Sequence, residues 1–275
     1  MSRLQLAQVT LCAVDTRSPK LAANSLLRSM AGIDFARVLL FTRGWAPSQP
    51  LPGVEVVEID TLRCGADYSH FVLRRLPGYI HTSHVLVTQW DGFVVDAGAW
   101  SHDFLAHDYV GAVWPDQPAA RSVGNGGFSL RSQRFMAAGL DPRITEEHPE
   151  DLVLCRTWRD HIEREHGVSF APAVLARRFA FENETPRGST FGFHGPHNLP
   201  RFLDEPELDA LLGELPDDFF RSRDARRLAR ALLAQRMPRT ASRLLQRRSA
   251  AGRKDPNTRL LGVAAALLSR FAPHS

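Results

Sequence analysis

The sequence predicts an α/β fold whose core is a mostly parallel sheet covered by helices. Strand and helix patterns alternate through the first part of the chain. The strands are apolar on consecutive positions, with more alternation in the third, as is typical of strands buried on both faces. The predicted strands of this part are Val9–Val14, Arg37–Phe41, Val54–Ile59 and Ser83–Thr88. Parallel strands require crossover segments between them, and the intervening helical patterns supply these crossovers.

Proline and glycine mark the helix boundaries in this part. Ser18-Pro19 begins a helical pattern that Gly32 ends, because proline is favoured in a first helical turn and glycine just beyond a last one. A second helix is predicted over Tyr68–Leu76, before the breaker Pro77-Gly78.

The pattern becomes less regular after the fourth strand. A helix is predicted over Ser132–Ala138, and another runs from Pro149 to about Glu165, with Gly167 as its cap. The remaining short elements are a helix at Ala99–Leu105 and strands at Tyr109–Val113, Phe128–Leu130, Phe179–Phe181 and Thr190–Phe193.

Two regions differ in pattern and in charge. Strands and helices alternate in residues 1–203, whereas residues 204–275 are helical in pattern, so we expect a catalytic domain followed by a basic helical extension. From Arg221 to Ser275, 14 Lys and Arg residues and 2 acidic residues give a net charge of +12, while residues 1–220 carry −8. Such an extension is either a set of solvated helix faces or a contact for an anionic membrane surface or acceptor. Its few aromatic side chains disfavour nucleic acid, and dimerisation is a further hypothesis.

Membrane-spanning and disulfide-stabilised classes are disfavoured. No apolar run approaches the roughly 20 residues that cross a bilayer, and the N-terminus lacks the pattern of a signal peptide. Cys12, Cys64 and Cys155 are odd in number and widely spaced, which fits neither a disulfide framework nor a cysteine-based zinc site. We therefore expect a cytoplasmic protein, held at the inner face of the membrane if the basic extension binds lipid.

Polar residues follow the first and fourth strands, at the edge where α/β sheets bind ligands. Asp15 and Thr16 end the first strand, and Gln89-Trp90-Asp91 ends the fourth. A carboxylate at that position is suited to a hard divalent cation. The alternative is that Asp91 only begins a turn between two strands.

Three later segments carry further candidate chemistry. Gly124–Gly127 either lets a ligand approach the backbone amides closely or forms a plain tight turn, and it is neither a P-loop nor a dinucleotide fingerprint. Glu150 and Asp151 open a helix, where they compensate its dipole or, in the case of Asp151, take a proton from an acceptor hydroxyl. His194, with His197 as second choice, offers an imidazole nitrogen to a manganese-like ion.

Taken as a set, these segments resemble an uncharacterised bacterial family of GT-A-type glycosyltransferases, over about Val9 to Leu203. The segments that carry the resemblance are VTLCAVDT, DYSHFVLRRL, HVLVTQWDGFV, VGNGGFSLRS, PEDLVLCR and FGFHG. The resemblance implies a GT-A fold and a hexosyltransferase type of activity, with Mn²⁺ or Mg²⁺ as cofactor. A sugar would pass from a nucleoside-diphosphate sugar to a hydroxyl of a glycan or another acceptor.

The resemblance also implies a role for each site residue. Gln89 and Asp91 stand at the two acidic positions of the family's DxD motif, so Asp91 is expected to hold the metal together with His194. The residues implied at the donor are Asp15, Thr16, Tyr68, Arg74, Gln89, Asn125, Gly126 and Gly127. Asp151 is implied as the catalytic base, with Glu150 beside it, and the reaction is expected to invert the anomeric centre.

Two other functions stay open at this level. A nucleotidyltransferase would share the sheet and the metal, but its usual phosphate-binding loop after the first strand is replaced by Asp15–Pro19. A catalytically inactive sugar- or nucleotide-binding scaffold is favoured by Gln89 in place of an acidic residue. The joint presence of Asp91, Asp151 and His194 argues against such a scaffold.

Overall fold

A computed structural model describes residues 3–269, and the chain divides into two compact units, Met1–His194 and Gly195–Ser275. The sequence places the change from α/β to helical pattern near Leu203, somewhat later in the chain than this division.

The first unit contains two sheets. Its strands are β1 (Leu4–Val14), β2 (Ile33–Thr42), β3 (Glu55–Glu58), β4 (His84–Thr88), β5 (Phe93–Val94), β6 (Tyr109–Gly111), β7 (Phe128–Ser132), β8 (Ala180–Phe181) and β9 (Gly192–Phe193). Six of these strands form the larger sheet in the order β3-β2-β1-β4-β7-β6, and β5, β9 and β8 form the smaller one. The four principal strands therefore form where the sequence predicts them, with β1 and β2 starting earlier than predicted.

Helices connect and cover these strands. They are α1 (Pro19–Ser29), α2 (Gly65–His70), α3 (Gln133–Ala138), α4 (Glu150–Leu152), α5 (Arg159–His166) and α6 (Ala173–Phe179). The helices predicted around residues 68–76 and 149–165 are present, but π-helical turns at Phe71–Arg75 and Val153–Thr157 interrupt both. The helix predicted at Ala99–Leu105 is replaced by short 3₁₀ turns.

The larger sheet is mixed rather than wholly parallel. β1 pairs in parallel with β2 and β4, and β2 pairs in parallel with β3, whereas β7 is antiparallel to β4 and to β6. This arrangement confirms the predicted α/β class. The prediction that the first strands are buried on both faces is wrong for β3, because β3 lies at the edge of the sheet and exposes both glutamates.

The central strand β1 separates two hydrophobic cores. Leu11 and Ala13 pack into the core that α1 covers, while Cys12 and Val14 pack into the core on the other face. Successive side chains of a strand point to opposite faces, so an unbroken apolar run is what burial on both faces requires.

The order of the strands creates a crevice between β1 and β4. The chain passes from β1 outward to β2 and β3, and then returns to the other side of β1 to form β4. This reversal of direction is called a topological switch point. The loops that follow the two neighbouring parallel strands run to opposite sides there, and ligands bind in the gap at the carboxyl ends of the strands. Asp15 follows β1 at this edge and Gln89 follows β4.

The second unit consists of helices after an initial 3₁₀ turn at Pro196–Arg201. They are α7 (Glu205–Glu214), α8 (Asp217–Arg221), α9 (Arg223–Ala234), α10 (Pro238–Ala250) and α11 (Pro256–Ser269). The sequence predicts the last helix as far as Phe271, which lies outside the described residues. Within residues 3–269, no helix is both long and apolar enough to cross a bilayer.

Candidate functional site

A cavity of about 210 Å³ opens at the switch point between β1 and β4. Four residues that the resemblance implies at the donor line it: Asp15, Thr16, Tyr68 and Gln89. These residues come from three separate segments, and the crossing of the chain between β1 and β4 brings them together. The volume is below the ~300–1,000 Å³ of typical small-molecule sites, so the cavity can enclose only part of a nucleotide sugar.

The hydroxyl of Thr16 and the carboxylate of Asp15 shape the wall of this cavity. Oγ1 of Thr16 accepts from the backbone N–H of Leu62 at 3.0 Å and holds the segment before α2 against the end of β1. Oδ1 of Asp15 accepts from the N–H groups of Arg17 and Ser18, each at 2.7 Å. Burial raises the pKa of Asp15 and outweighs these hydrogen bonds, which lower it. The hydroxyl of Thr16 therefore links the end of β1 to the segment before α2 and closes this side of the cavity.

A tight turn after β4 positions Asp91. The N–H of Gly92 donates to the carbonyl of Gln89 at 3.2 Å, and the Gly92 carbonyl accepts from the hydroxyls of Ser25 and Thr88. A side chain at position 92 would meet the carbonyl of Phe193, since its Cβ would lie only 2.6 Å from that oxygen. Glycine at this position lets the turn lie directly against the end of β9 and so brings Asp91 next to His194.

The side chains of Gln89, Asp91, Glu182 and His194 form one group, here called the Asp91 cluster. Nε2 of His194 lies 3.3 Å from Oδ1 of Asp91 and 3.2 Å from Oε1 of Gln89. Nδ1 of the same ring lies 3.6 Å from Oε1 of Glu182. The predicted pairing of Asp91 with His194 is thus present, and the two ring nitrogens face different carboxylates.

The charge of His194 follows from these neighbours. Burial disfavours the imidazolium, but the carboxylates of Asp91 and Glu182 on either side outweigh burial and raise the pKa of His194 well above its ordinary value. The two carboxylates therefore favour the protonated form of His194.

The two glycines after Asn125 make room for this ring and for the helix that carries Asp151. A Cβ at Gly127 would overlap the imidazole of His194, and a Cβ at Gly126 would overlap the carboxylate of Glu150. Asn125 has the left-handed φ of 65° and donates from Nδ2 to Oε2 of Glu182 at 2.7 Å. The segment is thus a close packing surface between the Asp91 cluster and α4.

Both acidic residues at the start of α4 hold the peptide of Gly126. Oδ2 of Asp151 accepts from the N–H of Gly126 at 3.0 Å. Glu150 acts through Arg131, whose Nη2 donates to Oε1 of Glu150 and to the carbonyl of Gly126, each at 3.1 Å. Burial raises the pKa of Glu150, against the opposing effect of Arg131.

Glu150 and Asp151 consequently differ in accessibility. Glu150 and Arg131 form a fully buried ion pair, with 7% and 3% of their side chains exposed, so Glu150 cannot reach an acceptor and instead positions Gly126. Asp151 is only half-buried and keeps a free lone pair on each oxygen beyond those used by the N–H groups of Gly126 and Leu152. Of the two predicted catalytic residues, only Asp151 is not fully buried.

One candidate does not join the site, and another belongs to the second unit. Arg74 donates from Nε to Glu147 at 2.8 Å, from Nη1 to the carbonyl of Gly139 at 2.7 Å, and from Nη2 to the carbonyl of Ile144. All its nitrogens are thereby committed to one loop, so Arg74 is a structural residue rather than a nucleotide ligand. His197 belongs to the second unit, where Nη2 of Arg227 lies 2.9 Å from its Nε2.

The Asp91 cluster fits a divalent cation. Octahedral ligands at about 2.1 Å from an ion lie about 3 Å from one another, close to the distances of Asp91 Oδ1 and Gln89 Oε1 from His194 Nε2. Oδ1 of Asp91 is buried and makes no aligned hydrogen bond within the described residues. Glu182 faces the other ring nitrogen, so it would orient the imidazole from outside the ligand shell.

Comparison with known proteins places the chain in a family. Residues 54–194, just over half of the 275-residue chain, match the family described as Protein of unknown function (DUF5672). The chain is a member of the DUF5672 family. No curated protein matches it.

The DUF5672 match begins after β2 and ends at His194, the last residue of the first unit. It contains the whole Asp91 cluster, the Asn125–Gly127 segment, Arg131 and the acidic pair at α4. It leaves out Asp15 and Thr16, which line the cavity from the end of β1. In this DUF5672 protein, the matched segment thus contains the candidate metal ligands and the candidate base. The strands that precede it complete the cavity.

Sequence reasoning missed two residues of the site. Glu182 follows the short strand β8, which is the same kind of signal that identifies Asp91 after β4. Arg131 lies within β7, where an arginine in a buried strand signals a buried ion pair. Neither signal shows which residue the side chain contacts, because the contacting residues come from remote segments of the chain.

A second group combines two histidines with a carboxylate and a guanidinium. It comprises Asp141, Arg143, His161 and His166 and is called the Asp141 cluster. Oδ2 of Asp141 lies 2.8 Å from Nε2 of His161, from Nε2 of His166 and from Nη2 of Arg143. Three ligand-type atoms therefore meet here, but Arg143 also occupies the carboxylate. We assign this cluster a structural role, because a cation there would have to displace the guanidinium.

Proposed function

We propose that this DUF5672 protein is a metal-assisted glycosyltransferase of the GT-A type, which transfers a sugar from a nucleoside-diphosphate sugar to an acceptor hydroxyl. The observation that carries the proposal is the meeting of three features at one sheet edge. The cavity at the switch point, the Asp91 cluster and the half-buried Asp151 are linked through Gln89 and the Asn125–Gly127 segment.

The cavity is the place for the nucleoside of the donor. Tyr68 supplies an aromatic ring and Asp15 a carboxylate that can accept from ribose hydroxyls. Gln89 lines the cavity and also contacts His194, so the cavity leads to the Asp91 cluster. Because the cavity is too small for a whole nucleotide sugar, the diphosphate would lie over this second region.

The charge of the Asp91 cluster supports a role for a divalent ion. Asp91 and Glu182 offer two carboxylates against one imidazolium, so a diphosphate by itself would meet net repulsion. A divalent cation held by Asp91, Gln89 and His194 would neutralise the diphosphate and stabilise the charge on the leaving group. Binding at Nε2 requires His194 to release its proton, so metal binding and protonation compete.

Asp151 is the proposed general base. It takes the proton of the acceptor hydroxyl, whose oxygen attacks the anomeric carbon while the bond from that carbon to the diphosphate breaks with its electron pair. A single displacement of this kind inverts the anomeric centre. The N–H of Gly126 and the helical start at Glu150 hold the carboxylate in place.

A cavity of about 970 Å³ is the proposed acceptor site. Glu182, which contacts both His194 and Asn125, lines it, and Val113 and Phe181 supply apolar surface. Arg177, Arg178 and Arg187 line the same cavity and favour an acceptor with polar or anionic groups. This volume lies within the range of small-molecule sites.

The test is a thermal-shift screen of nucleoside diphosphates and their sugars, with and without Mn²⁺. A ligand that binds only the folded protein raises the melting temperature by mass action. We expect one nucleoside diphosphate to raise it in the presence of Mn²⁺, and Asp91→Asn to remove the effect. No shift with any nucleotide contradicts the proposal, and an equal shift without Mn²⁺ contradicts the role of the metal.

Turnover separates an enzyme from a binding scaffold. Slow release of nucleoside diphosphate from the donor identified in the screen is expected from the wild-type protein. Asp151→Asn should bind the donor with an unchanged thermal shift and lose release by roughly 100-fold or more, the usual size of a general-base contribution. A wild-type protein that binds donor without any release would favour the inactive scaffold.

A further inference from the structure

We infer that the second unit binds an anionic lipid surface through the outward face of α11. This inference does not depend on the chemistry of the first unit. It rests on the exposure pattern of α11, on the charge of the surrounding helices and on the length of the helix.

The apolar residues of α11 lie on the wrong face for a helix that only packs inward. Thr258 and Ala265 are buried and form the inner side. On the opposite side, at spacings of three and four residues, Leu260, Val263 and Leu267 are 69%, 59% and 52% exposed. We call this surface the α11 face.

An exposed stripe of this kind indicates a partner. The helix of a soluble protein normally turns its apolar stripe to the core and its charged residues to water. Single exposed leucines are ordinary, but a contiguous apolar stripe along a helix marks an interaction surface.

The charge around the α11 face selects an anionic partner. The helix contains no acidic residue, and Arg253, Lys254 and Arg259 are exposed at its beginning. The nearest acidic residue, Asp255, is occupied by the N–H and hydroxyl of Thr258. Other exposed arginines of the unit are Arg201, Arg221, Arg223, Arg230, Arg236, Arg239 and Arg243.

A second copy of the chain fits this surface less well. Two α11 faces packed together would bring like-charged residues such as Arg259 into proximity, and α11 itself offers no acidic residue to compensate them. A lipid surface accepts the apolar stripe at the level of the acyl chains and the basic residues at the anionic head groups.

The geometry requires α11 to lie on the surface rather than to cross it. Its 14 residues span about 21 Å, less than the ~30 Å of a hydrocarbon core. A helix in the interface plane buries only its apolar side, as the separation of the inner and outer sides of α11 permits.

The experiment measures sedimentation of the full chain with vesicles. One set contains phosphatidylglycerol and phosphatidylcholine in equal parts, and the other contains phosphatidylcholine alone. Binding to the anionic vesicles at low salt, strong weakening at high salt and little binding to the neutral vesicles are expected. Leu260→Gln with Leu267→Gln should lower the affinity by roughly tenfold or more, and Lys254→Gln with Arg259→Gln by a similar factor.

The matched control is Leu140→Gln, which replaces a leucine of 45% exposure in the first unit and should leave binding unchanged. All these positions are exposed, so circular dichroism and melting temperature should match the wild type. Equal binding to both vesicle types, or no binding to either, overturns the inference. A dimer in sedimentation velocity that Leu260→Gln with Leu267→Gln dissociates would assign the face to a second copy instead.

Discussion

The Asp91 cluster and the Asp141 cluster contain the same kinds of side chain and differ in what fills the space around them. In the Asp141 cluster, two imidazoles and a guanidinium all contact one carboxylate oxygen, so groups of the protein already occupy that oxygen. In the Asp91 cluster, a single imidazole lies between two carboxylates and packs closely against Gly127, and Gln89 of the same cluster lines the neighbouring cavity.

This difference shows that ligand types alone do not identify a metal site. The Asp141 cluster has the denser set of ligand atoms, and yet Arg143 supplies the positive charge that an ion would otherwise provide. The Asp91 cluster carries an excess of negative charge and lies next to a cavity. A cation site needs both unbalanced charge and room for the partner of the ion.

The largest expected effect is on Mn²⁺ binding. Asp91→Asn should lower the affinity by more than about 100-fold, because losing even a residue outside the ligand shell often costs 10–100-fold. Asp141→Asn should leave it unchanged. Electron paramagnetic resonance of free Mn²⁺ during titration measures both variants. If Asp141→Asn loses Mn²⁺ affinity and Asp91→Asn keeps it, the two assignments are reversed.

The next effect is steric. Gly127→Ala should displace the imidazole of His194 and weaken Mn²⁺ binding by roughly tenfold or more, since the ring must move away from Asp91. Gly78→Ala is the matched control, because a Cβ there meets no atom within 4 Å. The same titration compares them. If Gly127→Ala binds like the wild type, then the position of the ring is not what determines binding.

A smaller effect is expected for the loop that carries Asp141. Arg74→Met removes hydrogen bonds to Gly139, Ile144 and Glu147 and should lower the free energy of unfolding by about 1–3 kcal/mol. The nucleotide-dependent thermal shift should persist. Arg75→Met, at the exposed neighbouring position, should change stability by less than about 0.5 kcal/mol. Urea unfolding gives the stabilities, and a lost nucleotide response in Arg74→Met would restore its predicted ligand role.

The smallest effect is a pH dependence of the Asp141 cluster. Hydrogen bonds from Arg143, His161 and His166 lower the pKa of Asp141 below its ordinary 3.8. The unfolded chain therefore binds the proton more readily, and the stabilisation is fully present above 3.8 and lost as the pH falls through the lower folded-state pKa.

The measurement compares the free energy of unfolding of the wild type and Asp141→Asn across acidic pH. The advantage of the wild type should shrink as the pH falls below 3.8. An advantage that stays unchanged on further acidification would contradict the lowered pKa of Asp141.

Much of the candidate site was predictable because it follows strand ends. Asp15 and Asp91 come directly after β1 and β4, and parallel strands deliver such residues to a common edge. Glu150 and Arg74 show where this reasoning ends. Both have residue types and positions that suit a ligand, but their neighbours in space, Arg131 and the loop from Gly139 to Glu147, occupy them fully.

The sequence by itself determined the α/β class, the main strands and helices and the basic character of the second unit. These properties depend on local periodicity, on strand ends and on charge, which are all readable along the chain. The tertiary structure decided the antiparallel direction of β7, the burial of Glu150 and the contribution of Glu182. It also decided that leucines of α11 face outward. The spacing of apolar residues along a helix does not show which side of the helix packs against the core.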